Sequence, residues 1–343
     1  MPDALQRIKS WRMGKLNPKK GAYLMKKIGI ILALVVVLIV AVMLGIRRDG
    51  PQDDYTIRIG YLPLTANLPL FVAIEKEFFT DAGLKVKTQR FESSNQMVDA
   101  LVTGRIDVET AASSSVIVTV GQKLADKIHI FMLNAFTPKD FLSTILVKKG
   151  SPVTIPADLV GKKIGAFPGS TMRMYTEMVF ESLGIQPGEI IQLPTPTQLG
   201  ALDSGSVDAL MTLEPLGTIG EVKGIATKLI TAPVETYVLN PWVAGSNSFS
   251  NNFLKNHPEL ATKLRTAFYR AVDYIRVNPE EAKKTMTKFT PVTDEALASR
   301  LTIPNYWKLD EMNITDFQKM ADQLLSHDEI DTRVDVTTLI MKK

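Results

Sequence analysis

Ile164-Gly165-Ala166-Phe167-Pro168 opens, and Ala201-Leu202-Asp203-Ser204-Gly205-Ser206-Val207-Asp208 closes, a stretch whose skeleton occurs twice in this chain. The earlier copy opens Ile59-Gly60-Tyr61-Leu62-Pro63 and closes Ala100-Leu101-Val102-Thr103-Gly104-Arg105-Ile106-Asp107. The two spans differ by only four residues. Each reads strand, loop, helix, strand, helix, strand, with apolar alternation in the strands and a glycine ending the second helix. An Ile-Gly-x-x-Pro match arises easily by chance, but both ends at matched separation with one element order between them do not. Two copies predict two similar α/β lobes, and two lobes predict a cleft.

Within the first copy, Thr56 to Leu62 alternates as a strand and leads into the loop Pro63–Asn67. A helix is expected from about Pro69 to Thr80, then a strand from Lys85 to Phe91. Ser93 with Gln96 forms a capping-box pattern for the next helix. Ile106 to Thr110 is the third strand and runs into Ala111-Ala112-Ser113-Ser114-Ser115. In open α/β sheets ligands sit beyond the carboxyl ends of strands, which selects Tyr61, Thr65 and Asn67 after the first strand and Ser113 and Ser114 after the third. Helix starts there offer unpaired N–H groups to a ligand. The alternative is that the serines are ordinary N-caps.

In the second copy, Gly169, Ser170 and Thr171 occupy the place of the Tyr61–Asn67 loop. Gly169 permits close backbone approach, and Ser170 or Thr171 caps a helix to about Leu183. This suits an anion or a carbonyl oxygen, although a plain cap reads the same way; the lysine of a phosphate-binding P-loop is missing. Thr195-Pro196-Thr197-Gln198 carries an N-cap, a proline at the first helical position and a capping-box glutamine. The strand Val207–Leu213 ends at Glu214-Pro215, where the cleft is expected. Glu214 either accepts hydrogen bonds from a ligand amine or ring nitrogen, or braces the hinge with a partner that the sequence does not name. Trp242 either stacks on a ligand or fills core. Leu229–Tyr237 and Trp242–Ala244 read as extended. From Asn251 onward the pattern is helical, with capping residues near the starts of Glu259–Val277, Glu280–Phe289, Thr293–Thr302 and Asp316–Ser326.

The formal charge of +4 comes from one end of the chain. Residues 1–48 hold ten Lys or Arg and one acid, so residues 49–343 carry 30 basic and 35 acidic groups. That balance gives no electrostatic footprint for nucleic acid. Cysteine is absent, which removes disulfides, thiolate ligands, a cysteine nucleophile and a lipid-modified cysteine. The three histidines, His129, His257 and His327, lack ligand spacing, so no metal site, cofactor or catalytic set is expected.

Ile28 to Ile46 is a run of nineteen residues, all apolar or glycine. At 1.5 Å per residue it nearly matches the hydrocarbon thickness of a bilayer. Eight basic residues precede it and Arg47-Arg48 follow, which keeps the N-terminus cytoplasmic and sends the remainder across the membrane. The run is long for a cleaved signal peptide and has no small-residue cleavage site before Arg47, so an uncleaved single-pass anchor is the better reading.

The string IGYLPLTANLPLFVAIEKEFFTDAGLKV with ALVTGRIDV resembles the substrate-binding proteins of ABC importers, in the branch handling nitrate, taurine, aliphatic sulfonates and thiamine-precursor pyrimidines. The resemblance continues through DLVGKKIGAFPGST and ALDSGSVDALMTLEP, covering about residues 55–220. It implies two Rossmann-like lobes joined by two crossover strands, the bilobal type II periplasmic-binding architecture. The expected organisation is a basic tail (1–27), an anchor (28–46), a first lobe (55–140), a second lobe (141–240), and a return (241–343) that completes the first lobe and adds C-terminal helices. The resemblance also implies a small solute, an ABC permease and its ATPase as partners, and places Glu214 beside the ligand. Two alternatives stay open, a membrane-tethered sensor of the same fold and an enzyme of pyrimidine biosynthesis. Only Arg173 stands near the expected cleft as a cation, and Glu214 would repel an anion. The expectation therefore leans to a neutral or cationic heteroaromatic ligand.

Overall fold

The structure is a computed structural model and describes residues 55–342. The basic tail and the apolar run Ile28–Ile46 lie outside the described residues. Among the described residues no helix is long and apolar enough to cross a membrane.

Among the described residues, eleven strands form two sheets. They are β1 (Thr56–Tyr61), β2 (Lys85–Arg90), β3 (Val108–Ser113), β4 (Ile128–Phe136), β5 (Ser143–Lys148), β6 (Lys163–Ala166), β7 (Glu189–Gln192), β8 (Ala209–Leu213), β9 (Ala226–Thr231), β10 (Trp242–Ser250) and β11 (Asn305–Lys308). Sheet one runs β11-β4-β10-β3-β1-β2 and sheet two runs β7-β6-β8-β5-β9. Each has a parallel β-α-β-α-β core, β2-β1-β3 in one and β7-β6-β8 in the other, with an antiparallel strand added beside it.

The sequence repeat is a structural repeat down to single atoms. Ile59 pairs with Val108 in one lobe and Ile164 with Ala209 in the other, the same register. Asp107 Oδ2 accepts from Arg58 N at 2.8 Å, and its counterpart Asp208 Oδ2 accepts from Lys163 N at 2.9 Å. Each carboxylate thus pins the start of its third strand to the first. Gly60 and Gly165 are required by close approach. A Cβ on Gly60 would sit 2.6 Å from Ile106 Cδ1, and one on Gly165 would sit 2.9 Å from Leu193 Cδ1. Gly104 and Gly205 end the equivalent helices at φ 72° and 75°, a region open to glycine without steric cost.

The chain exchanges strands between lobes. After β4 it crosses to lobe two as β5, and after β9 it returns as β10; β5 and β10 each lie against the third parallel strand of the lobe they enter. Each lobe is therefore completed by chain arriving from the other. The crossovers are tied together by Glu235, in the short helix Pro233–Tyr237. Its carboxylate accepts from Leu142 N at 2.6 Å, Ser143 N at 3.1 Å and the Ser143 hydroxyl. Burial pushes the Glu235 carboxyl upward, and these donors oppose the shift.

The C-terminal helices pack on lobe one. Helix Pro258–Val277 buries Leu260, Leu264, Phe268, Val272 and Ile275, spaced at three and four residues, against Ile57, Ile59, Phe71 and Phe79. Ser250, Asp294 and Asn313 cap three of these tail helices by accepting from backbone N–H groups three residues on.

Several local expectations give way to tertiary context. The helix expected over Pro69–Thr80 breaks into Leu68–Glu75 and Phe78–Asp81, because Glu77 turns at φ 57°. The extended reading of Leu229–Tyr237 fails after β9, where Pro233 starts a helical turn. Thr195 does not cap. The segment forms a 3₁₀ turn, and the Gln198 carboxamide instead bridges Leu193 O at 3.0 Å and the Thr212 hydroxyl at 2.7 Å.

Candidate functional site

The carboxyl ends of β1, β3, β6 and β8 meet around a narrow cavity between the lobes that is partly open to solvent. Lobe one supplies Leu62, Leu64 and Ala66 after β1, and Ala111 and Ser113 from β3. Phe167, Pro168, Gly169, Thr171 and Met172 after β6, with Leu213 of β8, face them from lobe two. Phe136, Leu142 and Trp242, at the two crossovers, close the back. One continuous apolar cluster joins Leu62, Val116 and Phe136 through Trp242 to Phe167, Met172 and Leu213.

The loop Leu62–Asn67 is held from behind. Asn67 Nδ2 donates to Leu62 O at 2.7 Å, the Tyr306 hydroxyl to Thr65 O at 3.2 Å, and Asn134 Nδ2 to Ala66 O at 3.3 Å. Side chains alternate along this loop. Leu62, Leu64 and Ala66 line the cavity, whereas Thr65 and Asn67 are buried away from it. Tyr61 also faces away, edge-on to Phe71 at 5.7 Å.

The end of β3 is shaped by side chains that supplement an irregular ladder. β10 bulges between Ser246 and Asn247, and Ala111 sits at φ 53°. Asn247 Oδ1 accepts from Ala111 N at 3.2 Å, Glu109 Oε2 from Ala112 N at 2.9 Å, and Ser94 Oγ from Ser113 N at 2.9 Å. Glu109 is fully buried and Ser246 Oγ donates to it at 3.3 Å. Burial pushes its carboxyl up to about 8, opposed by hydrogen bonds from Ser248, Ala112 and Ser246.

In lobe two the expected serine or threonine cap is replaced by Gly169. It precedes helix Ser170–Ser182 at φ 117°, and no side chain caps the helix. Gln192 holds the Gly169 peptide groups, accepting from Gly169 N at 3.2 Å and donating to Gly169 O at 3.3 Å. Ser170 is exposed and accepts from Asn95 Nδ2 of lobe one at 3.4 Å, across the mouth of the cavity.

Glu214 is buried and does not line the cavity. Its Oε2 accepts from Thr218 N at 3.1 Å, and its Oε1 lies 3.5 Å from Lys228 Nζ. Burial raises its pKa, and the Lys228 charge opposes the rise. The brace that the sequence left without a partner has one in Lys228, while the Glu214 backbone carbonyl accepts from Thr65 N of lobe one at 3.4 Å. Arg173, the cation expected near the cleft, is exposed and paired with Glu177 at 3.0 Å.

Of the ten sequence-selected residues, Ser113, Gly169, Thr171 and Trp242 line the cavity. Thr65 and Glu214 join the lobes beside it, Ser170 lies at its lip, and Tyr61, Asn67 and Ser114 lie behind its walls. Trp242 both fills core, at 2 % exposure, and forms cavity wall. Sequence reading passed over Ser94, Asn95, Phe136 and Met172. The Ser93–Gln96 cap marked a helix start at Ser94 and Asn95, whereas nothing local marked Phe136. None of the three histidines lines the cavity, and among the described residues no cluster of ligating side chains could hold a metal.

Residues 50–289 match the NMT1-like family. The chain belongs to the NMT1-like family. It is 26% identical over 321 residues to the putative aliphatic sulfonates-binding protein of Bacillus subtilis (strain 168), covering 90% of this chain and 93% of that protein. A 4-amino-5-hydroxymethyl-2-methylpyrimidine phosphate synthase of Saccharomyces cerevisiae (THI13) is 22% identical over 257 residues, 72% of this chain and 74% of that protein. The NMT1-like relatives thus include binding proteins and enzymes. The fold is shared with the alkanesulfonate-binding protein of Xanthomonas axonopodis pv. citri bound to MOPS. The TM-score is 0.68 at 22% identity, over 84% of this chain and 98% of that one.

Proposed function

We propose that this chain captures a small solute between its lobes outside the cytoplasm and delivers it to an ABC permease powered by its ATPase. The observation that carries the reading is the cavity itself. It lies at the carboxyl ends of equivalent strands from two repeated lobes that are joined through two crossovers. Such lobes can rock about the crossovers, and a solute that contacts both lobes favours the closed form. The sulfonate-binding relatives support the same reading. The apolar run Ile28–Ile46, with its basic flank, supports a tether in the cell membrane and a cytoplasmic N-terminus.

The wall also narrows the ligand. Among the described residues, no charged side chain lines the cavity. Ser94, Asn95, Ser113, Gly169 and Thr171 are its polar lining, with Ser94 Oγ accepting from Ser113 N and Asn95 Nδ2 donating to Ser170 Oγ beside it. Three helices begin there, at Ser94, Ser114 and Ser170. Phe136, Leu142, Leu213 and Trp242 supply apolar wall. Helix starts favour negative charge, and the apolar wall favours hydrocarbon or a ring. With Glu214 facing away from the cavity, the objection to an anion falls, and an alkyl or aryl sulfonate fits better than a cation.

The test is thermal unfolding of the detergent-solubilised full chain with MOPS, taurine, nitrate and a methylpyrimidine. A ligand at ~100 times its Kd stabilises by about 2.7 kcal/mol, and the sulfonates are expected to give the largest shift. Stabilisation by the pyrimidine alone would replace the ligand assignment. No stabilisation by any of them, with chemical turnover of one, would overturn the transport reading.

A further inference from the structure

Helix Ser170–Ser182 sends one aromatic side chain into lobe one without lining the cavity. Tyr175 is fully buried, and its hydroxyl lies 2.8 Å from Ser115 Oγ of helix Ser114–Leu124. Ser115 Oγ in turn donates to Met320 Sδ at 3.3 Å, which leaves the phenol as donor in the Tyr175–Ser115 bond. The Tyr175 ring meets Trp242 edge-on, with centroids 5.0 Å apart at 71°. The Trp242 Nε1–H is buried without a hydrogen-bond partner. Burial takes the phenol up to about 12. One lobe-two side chain is thus surrounded by Ser115, Trp242 and, through Ser115, Met320 of lobe one.

We propose that Tyr175 is a positioning residue that latches the lobes through Ser115 and fixes the Trp242 indole as cavity wall. This rests on the solute-capture reading above. A hydroxyl pair between lobes exists only when the lobes are together; when they separate, both groups return to water. The bond therefore adds to the closed form alone. The edge-on ring contact ties the same event to the residue that a solute would touch, so closure and wall geometry change together. Asn95–Ser170 at the exposed lip does not have this property, because water competes for it in both forms.

The absence of cysteine allows spin labels at Gln89→Cys of lobe one and Glu181→Cys of lobe two, both exposed positions, in the otherwise intact full chain. Interlobe distances are measured without solute in the parent, Tyr175→Phe, Ser115→Ala and the double variant. Loss of one buried hydrogen bond should raise the open-to-closed ratio about 2- to 10-fold in either single variant, and the double variant should add little more. MOPS affinity should fall by a similar factor, mainly through faster release, and the Trp242 near-ultraviolet circular dichroism should weaken in Tyr175→Phe. Unchanged distances in both single variants, or losses that simply add in the double variant, overturn the latch. Failure of the parent to bind MOPS counts against the sulfonate reading and leaves the distance result to decide the latch by itself.

Discussion

Glu109→Gln offers the sharpest physical test of how the site is built. Glu109 has no cation beside it; it holds the Ala112 N–H and the Ser246 hydroxyl, and burial takes its carboxyl from 4.5 up to about 8. Between those values the folded chain holds a proton that the unfolded chain has released, so stability falls as pH rises through the window. The contribution is fully present below the unfolded value near 4.5 and is gone above about 8. At 1.36 kcal/mol per pH unit the ceiling is about 5 kcal/mol, and water entering the ionised site would bring it nearer ~2 kcal/mol. Glutamine keeps the shape and an acceptor for Ala112 but does not titrate. Glu214 and Glu235 titrate in both proteins and cancel in the comparison. Urea unfolding of the wild type and variant from pH 5 to 9 should show the variant gaining on the wild type as pH rises, by at least ~2 kcal/mol. A difference that stays constant over that range would refute the reasoning.

Three further outcomes follow from named contacts. Gly169→Ala places a Cβ 3.1 Å from Asn95 Oδ1 on a backbone at φ 117°, so solute affinity should fall about 10-fold or more by calorimetric titration, from strain of about 1–3 kcal/mol. Trp242→Ala removes a buried ring from both core and cavity; unfolding should cost about 3–5 kcal/mol less, and solute binding should be lost. Glu235→Ala leaves two buried N–H groups and a hydroxyl without their acceptor where the crossovers meet. A stability loss of about 3 kcal/mol in denaturant unfolding is expected, and a loss under 1 kcal/mol would contradict the bracing role.

The bilobal plan was legible because a repeat constrains both copies at once. Gly60 and Gly165, Asp107 and Asp208, Gly104 and Gly205 each perform the same task in each lobe, so their spacing carries three-dimensional information. Strand β4 has a nearly continuous buried pattern in the interior of a sheet, and β11 is four residues long; neither offers an alternation to read. The site was legible to the level of loops and less so to the level of side chains. Thr65 and Asn67 lie in the right loop, but alternation along Leu62–Asn67 turns Leu62, Leu64 and Ala66 inward instead. Choosing polar residues as ligand contacts therefore selected the ones that brace the loop. Glu214 was drawn to the cleft by its place at a strand end, while Lys228, which turns it inward, lies on β9 and has no local signal.

The most direct measurement of solute capture is the distance between labels at Gln89→Cys and Glu181→Cys with and without whichever tested compound most raises the unfolding temperature. Saturating solute should collapse the distribution to the shorter, closed separation. The same distribution with and without a tightly bound solute would contradict closure of the lobes as the means of capture.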